Sequence, residues 1–208
     1  MKKSKRIKKS NSWKIKQHRD QFFKKSKILG YRSRASFKLI ELNEKYKFIK
    51  SNSNLLDLGS YPGGWSQVSS QLITKGKIMS VDIKDMEPIK NTKFLKGDIL
   101  ENKTKNEILN YFNSGLDIIL SDMAADTTGN KSLDSIRTNQ LCSDVINFSK
   151  DTLKPKGVLI SKIFMGEDFL EVKNQAKSIF KKVNFFKPNS SRKESKETYL
   201  HCEILKSL

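Results

Sequence analysis

Apolar positions along this chain fall into short continuous runs that alternate with stripes at helical spacing. The runs, bounded by Gly, Asn, Asp or Ser, predict strands over residues 53–58, 77–82, 92–96, 116–121, 156–164, 182–187 and 198–205. The stripes predict helices over residues 65–74, 103–113, 134–153 and 167–181. Ahead of the first strand, residues 35–46 form a helix with Phe37, Leu39, Ile40 and Leu42 on its apolar side, and Lys38 belongs to it. Further upstream, residues 13–28 predict a cationic helix with Trp13, Phe22 and Phe23 as its apolar points, lying on the domain rather than inside it. Strands alternating with helices imply an α/β fold, a mostly parallel seven-stranded sheet with helices on both faces. No helix separates the last two strands, so the last is expected to run antiparallel. The 208 residues have room for one such domain. We place it at 31–208, after a basic extension over 1–30.

Leu55 to Trp65 reads as a strand, a tight turn and a helix start. Gly59, Gly63 and Gly64 let the backbone approach a ligand or take a positive φ there. Their spacing fits neither the G-x-G-x-x-G dinucleotide fingerprint nor a phosphate loop ending in Gly-Lys-Ser/Thr. A pyrophosphate is therefore disfavoured. A cofactor such as S-adenosylmethionine remains, which offers an ammonium, a carboxylate, a ribose and an adenine; a turn that only joins strand to helix is the alternative. In open α/β sheets ligands lie beyond the carboxyl ends of the strands. Asp57, Asp82, Asp98 and Asp122 stand at or just after the ends of the first four strands, and Lys162 lies in the fifth. One acid at such a place reads as a turn or cap residue. A series along one rim points to a cofactor site, with Asp82 placed for ribose hydroxyls and Asp98 for an adenine amino group.

Charge adds a partner to this picture. The net charge is +19, and it is segregated: residues 1–50 hold 18 Lys/Arg against 3 Asp/Glu, residues 51–180 hold 16 of each, and residues 181–208 hold 7 against 3. Basic charge gathered at the two ends is the footprint of a polyanion-binding face, the alternative being a solvated Lys-rich tail. Cys142 and Cys202 stand 60 positions apart, and His18 and His201 have no ligand spacing, so no metal and no disulfide framework are expected. The basic start lacks the apolar stretch of a signal peptide, and no run approaches a membrane span. A cytoplasmic protein without a membrane partner is expected; the Lys-rich bias fits an organellar transit peptide poorly.

Lys162 interrupts the apolar strand Gly157 to Phe164, where a buried charge is costly unless paired. It is either an ion-paired or snorkelling lysine, or a general base discharged by desolvation and a neighbouring cation. Lys38 is the candidate cation, with Asp122 and Glu197 as carboxylates that orient the ammonium groups and hold the substrate.

Together, YRSRASFKL (31–39), DLGSYPGGWSQ (57–67), the strand-end acids in VDI and GDI, SDMA (121–124), SKIFMGEDF (161–169) and KPNSSRKESKETY (187–199) resemble the FtsJ/RlmE family of ribosomal RNA 2′-O-ribose methyltransferases. The resemblance covers nearly everything after residue 12. It implies a Rossmann-like class I S-adenosylmethionine-dependent methyltransferase in which Lys38, Asp122, Lys162 and Glu197 are the catalytic set and Lys162 accepts the proton. It places Gly63, Trp65, Asp82, Asp98 and Asp122 at the S-adenosylmethionine site, beside the other loop glycines, Gly59 and Gly64. The basic N-terminal helix, Arg32, Arg34, Arg192 and Lys193 would hold RNA. The implied substrate is a uridine ribose in 23S ribosomal RNA within the large ribosomal subunit, and the implied enzyme is a metal-free monomer. A tRNA anticodon loop or another RNA is the alternative substrate. A non-catalytic RNA-binding or ribosome-assembly factor is the alternative of another class, against which retention of all four residues argues. Two departures stand out: Ala125-Asp126 where the family has Pro-Asn, and Ser60-Tyr61 where it has two small residues.

Overall fold

A computed structural model describes residues 20–206. The upstream part of the expected cationic helix, with Trp13, and the lysine-rich start lie outside the described residues. Its downstream part is α1 (Gln21–Ile28), capped by Asp20, whose side chain accepts from the backbone N–H groups of Phe22 and Phe23. This helix packs on the domain through Phe22 against Phe37, with ring centroids 5.5 Å apart.

The remaining elements follow in the expected order: α2 (Ser36–Tyr46), β1 (Leu55–Leu58), α3 (Gly64–Leu72), β2 (Ile78–Asp82), β3 (Lys93–Lys96), α4 (Asn102–Phe112) and β4 (Leu116–Ser121). After them come α5 (Lys131–Thr152), β5 (Leu153–Phe164), α6 (Phe169–Ile179), β6 (Phe180–Phe186) and β7 (Glu197–Leu205). The strands form one sheet in the order β3-β2-β1-β4-β5-β7-β6. β1 pairs in parallel with β2 and β4, β2 with β3, and β4 with β5. β7 inserts antiparallel between β5 and β6, as expected of the last strand.

Strand alternation divides the core in two. Leu56, Leu58, Met79 and Ile119 pack against Ile108 and Phe112 of α4, Cys142, Val145 and Ile146 of α5, and Val172 and Ala176 of α6. On the other face Leu55, Ile118, Leu120, Ile160 and Tyr199 pack against Leu39 and Leu42 of α2 and Trp65 and Val68 of α3. Both buried faces account for the near-continuous apolar runs of the central strands.

Several boundaries moved by one to three residues, two of them for clear local reasons. α5 starts at Lys131 rather than 134 because Asn130 caps it, accepting from the N–H groups of Ser132 and Leu133. β5 starts at Leu153 because that residue already pairs with Leu116, ahead of a bulge over residues 154–157. No helix of the described residues is long and apolar enough to cross a membrane.

Candidate active site

Register brings the expected residues together. β5 and β7 pair Lys162 with Tyr199 and Phe164 with Glu197, while β4 and β5 pair Ser121 with Ser161. Asp122, one residue beyond β4, therefore falls beside Lys162. Lys38, the third residue of α2, reaches the same spot from the helix that covers this face of the sheet.

The result is a chain of charge-assisted contacts. Lys162 Nζ lies 2.8 Å from Asp122 Oδ1 and donates to the Asp122 carbonyl at 2.6 Å. Lys38 Nζ lies 2.8 Å from Glu197 Oε1. Between the two pairs stands Tyr199, fully buried: its hydroxyl accepts from Lys38 Nζ at 3.0 Å and donates to Asp122 Oδ1 at 2.6 Å. Tyr199 is thus the member of the site that sequence reasoning passed over. Glu197 and Tyr199 are two positions apart on a strand and share a face, which is the signal that could have found it. Burial alone would raise the Asp122 carboxyl, but the Lys162 and Lys38 ammonium groups and the hydrogen bonds from Lys162 and Tyr199 hold it below the usual carboxylate range. Burial, together with Asp122 and Glu197, drives the Tyr199 phenol well above its ordinary value, so it stays a donor to Asp122.

Asp122 also borders a cavity of about 660 Å³ beyond the carboxyl ends of β1 to β4. Gly59, Tyr61, Asp82, Ile83, Asp98 and Met123 help to line it. Gly59 has a φ of 71°, and a Cβ there would stand 2.5 Å from Met123 Cγ. The glycine is required both by its backbone and by the wall it touches. Asp82 accepts from the N–H groups of Tyr61 and Lys84, both at 2.8 Å, which fixes its carboxylate at the cavity edge. Asp98 accepts from Leu100 N–H through Oδ1 at 2.9 Å, and its Oδ2 has no protein donor among the described residues. Behind the rim, the Asp57 carboxyl is pushed up to about 7 by burial; its bond from Ser66 Oγ (2.5 Å) opposes the shift, and Asp122 and Asp82 add to it.

Other expected residues take different places. Trp65 does not border the cavity: it is buried, its ring lies 5.5 Å from that of Tyr199, and its Nε1 donates to the Ala35 carbonyl at 2.8 Å. It braces the site from behind. Gly63 and Gly64 also stand outside the lining; a Cβ on Gly64 would run into the Ser33 hydroxyl, and one on Gly63 would meet Ile89, Met86 and Arg32. These glycines let α3 start close against the segment that leads into α2.

Arg32 and Arg34, expected to contact RNA, also hold segments of the protein together. Arg32 donates to the carbonyls of Glu87 and Pro88 at 2.6 Å each, tying the loop after β2 to the entry of α2. Arg34 pairs with Asp20 and donates to the Ser190 carbonyl. No sequence signal near either arginine announces partners so far along the chain. Arg192 and Lys193 are exposed on the loop between β6 and β7, Arg192 standing 3.9 Å from Asp20.

Comparison with known proteins matches residues 31–204 to the FtsJ-like methyltransferase family. A protein of Pelagibacter ubique (strain HTCC1062) named ribosomal RNA large subunit methyltransferase E is 44% identical over 197 residues, covering 95% of this chain and 97% of that one. A Plasmodium falciparum protein described as a ribosomal RNA methyltransferase has a crystal structure that aligns with a TM-score of 0.75 at 34% identity, covering 84% of this chain and 98% of that one. Human methyltransferase-like protein 13 in complex with SAH shares the fold alone, with a TM-score of 0.58 at 16% identity over 81% of this chain and 79% of that one.

Proposed function

This chain belongs to the FtsJ-like methyltransferase family, and from that premise we propose that it transfers the methyl group of S-adenosylmethionine to a ribose 2′-hydroxyl of large-subunit ribosomal RNA, with a uridine as the acceptor. The observation that carries the proposal is the network of Lys162 with Asp122 and Lys38 with Glu197, joined through Tyr199, at the edge of the acid-lined cavity.

The residues present fit the methyl donor. A cavity of about 660 Å³ lies within the range of cofactor sites. Asp82 and Asp98 are aligned for ribose and adenine donors, Gly59 allows close backbone approach, and ionised Asp122 favours a nearby cation. When bound, S-adenosylmethionine supplies a methyl group already activated by its sulfonium charge.

The protein's own task is to place and deprotonate the acceptor, and much of the rate comes from positioning. Lys162, in its neutral form, takes the 2′ proton as the oxygen becomes a nucleophile. The ammonium so formed lies 2.8 Å from Asp122 Oδ1 and 2.6 Å from the Asp122 carbonyl, two acceptors already in place. Lys38, fixed between Glu197 and Tyr199, holds positive charge on the acceptor side without being free to wander. The proton then leaves Lys162 to solvent before the next turnover.

RNA binding draws on the charge gathered at the chain ends, with Arg192 and Lys193 exposed beside the site's β7 strand. Affinity of this kind comes from phosphate neutralisation, while selection of one nucleotide rests on RNA shape and unstacked bases. The test is a map of 2′-O-methyl groups in ribosomal RNA and tRNA from cells with and without the gene. One large-subunit ribose losing its methyl is the expected result. A loss confined to tRNA would overturn the ribosomal assignment, and no loss in any RNA would overturn the enzyme reading.

A further inference from the structure

A second cavity, of about 540 Å³, opens at the opposite edge of the sheet from the reacting rim. It lies at the start of β4 and β5 and the end of β7. Asp117 borders this cavity and Asp122 borders the first, so five residues of β4, about 17 Å, separate the two.

Three departures from regular backbone converge there. After α2 the chain turns left-handed at Lys47, with a φ of 52°, where a helix end favours glycine or asparagine. Between the pairs Leu116 with Leu153 and Ile118 with Val158, the single residue Asp117 of β4 faces four residues of β5. Lys154, Pro155, Lys156 and Gly157 therefore bulge out of the ladder, which re-aims their side chains. β7 loses its β5 partner after Glu203, and the next residue, β-branched Ile204, takes a φ of 62°. Strained conformations persist only where the surrounding structure over-determines them, and they gather at functional sites. Lys47, Lys154, Lys156 and Ile204 all border the cavity, together with Lys50.

Its charges are unbalanced in one direction. Each of the two acids in the lining already has a lysine. Asp117 accepts from Lys154 Nζ and from Asn54 N–H, both at 2.8 Å, and Glu203 pairs with Lys182 at 3.4 Å. Lys47, Lys50 and Lys156 are exposed and have no carboxylate within ion-pair distance among the described residues.

We propose that this cavity is a second docking site for the RNA substrate, one that holds phosphates of the strand about 17 Å from the ribose being methylated. The proposal rests on the RNA reading above. Three flexible ammonium groups around an open concavity, with no arginine fork among them, suit a phosphate chain passing over the lip rather than one small anion held bidentately. Both faces of the sheet are covered, so the RNA must pass around the domain, and its path is longer than the ~17 Å along β4: more than about five nucleotides at a rise of roughly 3.4 Å each. A shorter substrate engages the reacting rim alone.

The test compares the full-length wild type with K47A/K50A/K156A on two RNAs: a transcript of a large-subunit ribosomal RNA domain, and a four-nucleotide RNA containing the acceptor. Losing three phosphate contacts should lower the slope of log affinity against log salt by about 2 to 3 for the transcript. Affinity for the transcript should fall tenfold or more at low salt. Affinity for S-adenosylhomocysteine, and the methylation rate of the short RNA at saturation, should stay within twofold. An unchanged slope and affinity for the transcript would overturn the proposal. So would stabilisation of the wild type alone by millimolar inorganic phosphate with no change in the RNA slope, which would mark a small-anion site. Failure of the function reading shows elsewhere, as a wild type that methylates neither RNA.

Discussion

Replacing Tyr199 with Phe tests whether the two lysine–carboxylate pairs work as one unit. The ring would keep its place, packed 5.5 Å from Trp65 and fully buried on the α2 and α3 face of the sheet. Only the hydroxyl goes, and with it the 2.6 Å bond to Asp122 and the 3.0 Å bond from Lys38. Lys38 retains Glu197 at 2.8 Å and Asp122 retains Lys162 at 2.8 Å, so each half survives without the link. A hydrogen bond to a charged group contributes about 1.5–3 kcal/mol. If the loss falls on the transition state, methyl transfer slows by about 10- to 150-fold. The bond from Tyr199 is also one of the contacts that hold the Asp122 carboxyl down, so in the variant that carboxyl should move back toward the usual carboxylate range. Single-turnover transfer from labelled S-adenosylmethionine gives the rate, and calorimetry with S-adenosylhomocysteine should show unchanged cofactor affinity. A rate within twofold of wild type would refute the coupling.

Two further outcomes follow from the cavity and the rim behind it. Asp57 is pushed up to about 7 in the folded protein, so between about pH 4 and pH 7 the folded state keeps a proton that the unfolded chain has released. Stability should therefore fall as pH rises through that window, by an order of 4 kcal/mol. Asp57→Asn should flatten this part of the curve in denaturant titrations run from pH 4 to 8, and an unaltered slope would contradict the assignment. Gly59→Ala places a Cβ 2.5 Å from Met123 Cγ at a φ of 71°, and a strain of about 1–3 kcal/mol on the cavity wall should weaken cofactor binding by roughly five- to 150-fold. Wild-type affinity in that variant would show that the Met123 wall yields freely.

The alternation of strands and helices was readable because both faces of the sheet are covered, which leaves apolar runs where strands are central and stripes where helices lie on top. Two of the four charged residues stand out by position, Lys162 interrupting an apolar strand and Asp122 following the end of one; Glu197 at the head of the last strand and Lys38 in the helix of residues 35–46 join them through the motifs that carry the family resemblance. What stayed hidden depended on pairing across long distances. Tyr199 looks like an ordinary strand tyrosine until the register sets it opposite Lys162. Arg32 resembles a surface cation until its carbonyl partners at Glu87 and Pro88 are seen, 55 and 56 positions away. Trp65 sits in the cofactor loop by sequence yet faces the core, because the first turn of α3 points its ring at Tyr199 rather than at the cavity. The bulge that lengthens β5 was invisible because Lys-Pro-Lys-Gly reads as a turn when its neighbours in β4 are unknown.

Whether Lys162 takes the proton from a ribose 2′-hydroxyl of large-subunit ribosomal RNA is decided by giving purified wild type and Lys162→Met the same large ribosomal subunits with labelled S-adenosylmethionine. The methylated nucleoside is then identified by mass spectrometry. The wild type should yield a single 2′-O-methylated nucleoside. The variant should lose about 10²-fold or more of the activity, with S-adenosylhomocysteine affinity held within a few fold. Label on a base, or near-normal turnover by Lys162→Met, would contradict this role of Lys162.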